Sequence, residues 1–157
     1  MDIVLNINPP STTAQSAARI FKSRDGRLFI GKNRQKGRFA REWNTLEHLL
    51  AIRTPTQPFV GALSISVEMI YPWRSGESKK TRSLGMIPKS TKPDLDNLAK
   101  YLLDLMQKNG YYSNDSQVCE LKLSKFWGEN PCVKISLKNF EKTVDISSHI
   151  LYIIKVA

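Results

Sequence analysis

Two short segments hold the residues best suited to chemistry: Lys92-Pro93-Asp94-Leu95-Asp96-Asn97-Leu98-Ala99-Lys100, and Tyr112-Ser113-Asn114-Asp115-Ser116-Gln117-Val118. Their three aspartates stand inside a strongly basic chain, with 24 Lys and Arg against 14 Asp and Glu and a formal charge of +10. Such an excess favours nucleic acid or another anionic partner and speeds encounter with it. Carboxylates make poor binding groups for a phosphate backbone, but they make good ligands for a divalent cation. Magnesium is a hard ion that keeps several waters, so two or three carboxylates suffice to hold it beside a phosphate. There it polarises the phosphoryl oxygen, activates water and steadies the leaving oxygen. Asp94, Asp96 and Asp115 are therefore the candidate magnesium ligands. Lys100, one helical turn beyond Asp96, is the candidate for stabilising charge on the phosphate or orienting the attacking water.

The elements around these residues permit that arrangement. Leu95, Leu98, Ala99, Leu102, Leu103, Leu105 and Met106 share one face of a helix predicted over about Asp94 to Asn109, stopped by Asn109-Gly110. Pro93 biases Lys92 to an extended conformation, which sets Asp94 at the mouth of the helix. Asp96 falls in the first turn, where the helix dipole favours an anion. Asp115 belongs to the turn before a strand, and a strand packed beside the helix can carry it to the same ion. Each residue also has an ordinary explanation. Asp94 can cap the helix, worth about 1 kcal/mol. Asp96 and Lys100 can form a surface pair, worth about 0.2–0.5 kcal/mol, and Asp115 can be a turn residue. Only the ordered set outweighs them.

The rest of the chain reads as one domain of mixed α/β (α+β-like) class, with a mixed sheet of about five strands and two main helices. Asp2 to Asn8 gives a short strand stopped by Pro9-Pro10-Ser11, and Asp25-Gly26 between two β-prone runs gives a hairpin over about Arg19 to Ile30. Phe39, Trp43, Leu46, Leu49 and Leu50 predict a helix over about Gly37 to Arg53. Leu63, Ile65, Val67 and Met69 alternate with Ser64, Ser66, Glu68 and Ile70 in a strand ended by Pro72. Residues 74–92 have no period and read as an exposed, mobile basic loop. Strands follow over about Val118 to Phe126 and Cys132 to Leu137, and 141–157 forms an extension in which Ile150 to Val156 offers a further strand or a dimerisation arm.

Positive charge is segregated: eight basic residues and one acid lie between Lys22 and Arg41, and six basic residues and one acid between Arg74 and Lys92. The remainder is nearly neutral, a distribution suited to following a phosphate backbone, although a solvated hairpin and loop give the same pattern. Lys79, Lys80, Arg82, Lys89 and Lys92 are the loop residues expected at nucleic acid. Two cysteines and two histidines without zinc spacing argue against zinc. Met1 to Pro10 lacks the pattern of a signal peptide, and no apolar run reaches the length of a membrane helix. A reduced, intracellular protein is the expectation.

The ordered set resembles the RusA family of Holliday-junction resolvases, or crossover-junction endonucleases. Asp94-Leu95-Asp96-Asn97-Leu98 with Lys100 is similar to the family's DLDN-x-x-K signature, and Asn114-Asp115-Ser116-Gln117-Val118 to its (D/N)D-x-Q-V signature. Pro9-Pro10-Ser11 resembles the family's N-terminal PPS, and Lys125 falls where relatives also carry a lysine, adding it to the expected DNA contacts. The resemblance implies a homodimer of mixed α/β subunits that nicks four-way DNA junctions symmetrically, in magnesium or manganese, during recombination and repair in the cytoplasm of a bacterial or phage-infected cell. Asp94, Asp96 and Asp115 would be its catalytic carboxylates and Lys100 an essential helper. Asn114 departs from the pattern where many relatives have a second Asp. Two rival readings stand beside this one. Pro93-Asp94 with Glu120-Leu121-Lys122 spells the PD…ExK signature of restriction-type nucleases, and the basic segments alone suit a non-catalytic protein binding branched nucleic acid.

Overall fold

A computed structural model describes residues 1–11, 18–32 and 38–140, with side chains described for 1–11, 22–28 and 41–140. The β strands are β1 (Asp2–Leu5), β2 (Ala18–Lys22), β3 (Leu28–Lys32), β4 (Leu63–Pro72), β5 (Ile87–Pro88), β6 (Val118–Gly128) and β7 (Cys132–Asn139). The helices are α1 (Arg38–Ala51), α2 (Lys79–Arg82) and α3 (Leu95–Lys108), and a 3-10 turn covers Asp115–Gln117.

Five strands form one mixed sheet in the order β1-β7-β4-β6-β5, and β2 and β3 pair as a separate hairpin. Only β4 and β6 run parallel within the large sheet; its other pairs are antiparallel. A parallel neighbour needs a long crossover, and the chain between β4 and β6 supplies it with α3. β4 is central, and its alternation decides which face is covered: Leu63, Ile65, Val67 and Met69 are at most 1% exposed. On the opposite face Glu68 accepts from Lys134 at 2.7 Å and Ser64 donates to Glu120 at 2.6 Å. The covered face meets both long helices. Trp43, Leu46 and Leu50 of α1 and Leu98, Leu102 and Met106 of α3 join the strand residues in one core. The Trp43 and Tyr101 rings lie 4.3 Å apart between the helices.

The single α/β domain with a mixed five-stranded sheet agrees with the sequence reading, as do both long helices to within a residue or two at most ends. One expectation needs correction. Residues 74–92 are not structureless: Ser78 caps α2 by accepting from the Thr81 amide at 3.0 Å, Ile87–Pro88 pairs with β6, and Lys89 is buried. Gly128 makes the close approach of this segment possible, since a Cβ there would stand 2.8 Å from Ile70 Cγ2 and 3.3 Å from Met86 Cγ. A one-turn helix and a two-residue strand are too short to show a period. The expected elements at 141–157 lie outside the described residues.

Candidate active site

Asp94 occupies the N-cap of α3 with extended backbone, yet its side chain makes no capping hydrogen bond. The ordinary explanation for an aspartate at this position therefore fails, and its exposed carboxylate is left for another partner. Asp96 is exposed in the first turn and Lys100 is exposed one turn later. Among the described residues, neither makes an ion pair within 4 Å, so the surface-pair explanation fails as well.

The approach to Asp94 is unusually well fixed. Lys125, on β6, donates to the Thr91 carbonyl at 2.7 Å and the Pro93 carbonyl at 2.5 Å. Lys89 donates to the Thr91 carbonyl at 3.1 Å, the Thr91 hydroxyl at 2.7 Å and the Lys92 carbonyl. Its ammonium sits 4.3 Å from the Trp127 ring centre and 5.0 Å from that of Tyr71. Burial, and then the charge of Lys125, pull the Lys89 pKa down to about 8. A cavity of about 260 Å³ opens here, lined among others by Pro9, Ser11, Tyr71, Lys89, Pro93 and Trp127. The Pro9-Pro10-Ser11 segment thus borders the same place: Tyr71 donates to the Pro10 carbonyl at 2.8 Å, and Ser11 donates through its amide and hydroxyl to Glu42 at 2.7 and 2.8 Å.

Asp115 is held differently. Asn114 accepts from the Ser116 amide at 2.9 Å, and Gln117 accepts from the Ser113 and Asn114 amides at 3.0 Å each. The other end of the Gln117 amide donates to the carbonyls of Phe59 at 3.2 Å and Gly61 at 3.1 Å. Sequence reasoning missed this role of Gln117; its recurrence three residues after a cap-forming Asn is the capping-box signal that marks it. Asn114 is that cap. The Tyr112 phenol is pushed up in pKa by burial, then by the charges of Asp115 and Asp104.

The structure places Asp94 and Asp96 at the N-terminal end of α3 and leaves Asp115 at the other end of the layer. Asp115 precedes the first residue of β6, whereas Pro93 is tied to Lys125, seven residues along it; that stretch of strand spans roughly 23 Å. Among the described residues, no three His, Cys, Asp or Glu side chains are grouped to hold a metal ion. Asp94 and Asp96 still fit a magnesium ion by donor chemistry, because that ion is commonly held by one or two carboxylates with waters and phosphate oxygens. Of the expected DNA contacts, Lys79, Lys80 and Arg82 are exposed on α2 and Lys92 is exposed beside the site; Lys125 is half-buried. Lys89 is 5% exposed and does not face solvent as expected, because its stem packs beneath the segment whose carbonyls it binds. Glu120 and Lys122 of the rival signature lie exposed on β6, with Glu120 engaged by Ser64.

The model of the family described as endodeoxyribonuclease RusA matches residues 10–138. The chain belongs to that family. The RusA match takes in the Pro10 segment, both aspartate signatures and Lys125. Among curated proteins, the uncharacterized protein YqaN of Bacillus subtilis (strain 168) is 33% identical over 89 residues, covering 54% of this chain and 62% of that protein. The crossover junction endodeoxyribonuclease rusA of Lactococcus phage r1t is 45% identical over 49 residues, 31% of this chain and 37% of that protein. The chain thus spans less than two thirds of the length of either of these curated relatives. Among the described residues, no helix is long and apolar enough to cross a membrane.

Proposed function

We propose that this RusA-family chain is a structure-selective endonuclease that resolves four-way DNA junctions by paired, magnesium-dependent hydrolysis, with manganese as a substitute, and that it acts as a two-fold homodimer. The observation that carries the reading is the unengaged pair Asp94 and Asp96 at a rigidly held helix mouth in a chain of net charge +10. A divalent cation bound by these carboxylates would polarise the phosphodiester and activate water for attack. Lys100, exposed on the next turn, would place its charge against the phosphate. The exposed Lys79, Lys80 and Arg82 of α2, with Lys92, would follow the DNA backbone. Asp115 stands too far along β6 to share an ion with Asp94 of the same chain; as a ligand it would serve the aspartate pair of a second copy. A two-fold dimer then has two equivalent sites for two equivalent strands.

The test is cleavage of a synthetic mobile four-way junction, with linear duplex as control, in magnesium and in EDTA. Paired symmetric nicks in the junction alone, dependent on metal and abolished by Asp96→Asn with junction binding retained, are the expected outcome. Binding without cutting in either magnesium or manganese leaves a non-catalytic branched-DNA protein instead. Loss of cutting on Glu120→Ala, with Asp96→Asn active, gives the restriction-type reading.

A further inference from the structure

Lys89 and Lys125 bring two ammonium groups to one carbonyl, that of Thr91, at 3.1 and 2.7 Å. Like charges converging beside a buried stem are unfavourable, and among the described residues every hydrogen-bond acceptor these two groups contact is a carbonyl or hydroxyl of residues 91–93. All three Lys89 protons are used, and two of the three on Lys125. The backbone amide of Lys89 also donates to the Lys125 carbonyl at 3.0 Å, so the two residues are locked to each other. The rings of Trp127 and Tyr71 pack against Lys89, which is buried. A lysine arranged for phosphate keeps its ammonium in solvent; these two are turned inward, onto the carbonyls of the residues immediately before Asp94.

Resting on the reading of Asp94 as a metal ligand, we propose that Lys89 and Lys125 are positioning residues: their paired ammonium groups clamp the Thr91–Pro93 backbone and thereby hold the Asp94 carboxylate in place, and they are not DNA contacts. Asp94 has no capping bond of its own to fix it. The clamp supplies that restraint from the backbone side and leaves both carboxylate oxygens free. It also accounts for a costly feature: a desolvated lysine, with its pKa lowered to about 8, sits beside a second cation.

The experiment compares the wild-type chain with Lys125→Met, Lys125→Arg and Lys89→Met, each checked for folding by circular dichroism. Three quantities are measured: junction affinity in EDTA as a function of salt, single-turnover cleavage in magnesium, and Mn²⁺ binding by calorimetry without DNA. Half-buried Lys125 is the primary site, because replacing it disturbs the packed interior less than replacing buried Lys89; Lys89→Met is the second. The clamp predicts junction affinity within about twofold of wild type and an unchanged salt slope. Cleavage falls about 10–100-fold, as expected for a displaced reacting group, and Mn²⁺ affinity falls with it. Lys125→Arg, which keeps a charged donor, recovers part of both. Weaker junction binding with a salt slope reduced by about one contact overturns the proposal and makes the lysines phosphate ligands. Unchanged cleavage and Mn²⁺ affinity overturn it as well. A wild-type chain that binds Mn²⁺ but cuts no junction overturns the resolvase reading alone, and the Mn²⁺ titrations still decide the clamp. A wild-type chain that takes up no Mn²⁺ overturns both.

Discussion

Gln117 joins three stretches of chain through one side-chain amide, accepting from Ser113 and Asn114 and donating to Phe59 and Gly61. The carbonyl half organises the turn that carries Asp115, and the amino half ties that turn to the segment leading into β4. Replacing it with Glu keeps the length and one acceptor, but sets a carboxylate against two carbonyl oxygens. Gln117→Glu is therefore expected to lower stability by about 1–3 kcal/mol, the cost of leaving such partners unsatisfied. Urea unfolding measures this, and a midpoint equal to wild type refutes it. At this scale the sequence was informative about residue type and poor about use. The aspartates were visible because acids stand out in a basic chain. Lys89 was expected at DNA because a lysine in a basic segment carries no local mark of burial, and Lys125 because the family resemblance places a lysine there; only tertiary packing under Trp127 reveals the burial of Lys89.

Elements in this protein are joined by phenols. Tyr71 donates from β4 to the Pro10 carbonyl, Tyr111 from the end of α3 to the Leu50 carbonyl of α1 at 2.9 Å, and Tyr112 to the Leu103 carbonyl of α3 at 2.9 Å. Burial pushes all three above the ordinary value of 10.0, Tyr111 to about 12. A group whose folded pKa is raised contributes stability that is complete below its unfolded pKa and is lost as pH climbs through the folded value. The fold should hold its melting temperature up to about pH 9.5 and lose it steadily to about pH 12, with Tyr111→Phe showing a shallower fall. Melting followed by circular dichroism checks this; a flat profile across that window contradicts it. The long elements were legible because α3 and β4 repeat their apolar residues often enough to show a period. Helix α2 and strand β5 were not, since tertiary contacts at Gly128 and β6 hold them and their own pattern does not.

For the whole molecule, the proposed function depends on a route by which Asp115 could serve an aspartate pair at the mouth of α3. Spacing in sequence suggests one cluster of three. The fold separates them, because α3 runs back along β6 and leaves Asp94 beside Lys125 and Asp115 before Val118. No sequence pattern reports that reversal, which arises from packing the crossover helix on a parallel pair. If each site combines Asp94 and Asp96 of one copy with Asp115 of another, inactive variants should complement. Asp96→Asn and Asp115→Asn would each be dead alone. In a mixed dimer, one site joins the two mutations and the other joins two intact residues. Equimolar mixing after subunit exchange should restore about a quarter of wild-type sites. Each active dimer would have a single competent site, so the recovered products should be single nicks in the junction, without the paired cuts proposed for wild type. Denaturing gels with each strand labelled in turn distinguish these outcomes. Recovery of nothing on mixing, with exchange shown by mass spectrometry, would mean that both aspartate signatures act within one chain, after a rearrangement of the turn that Gln117 holds.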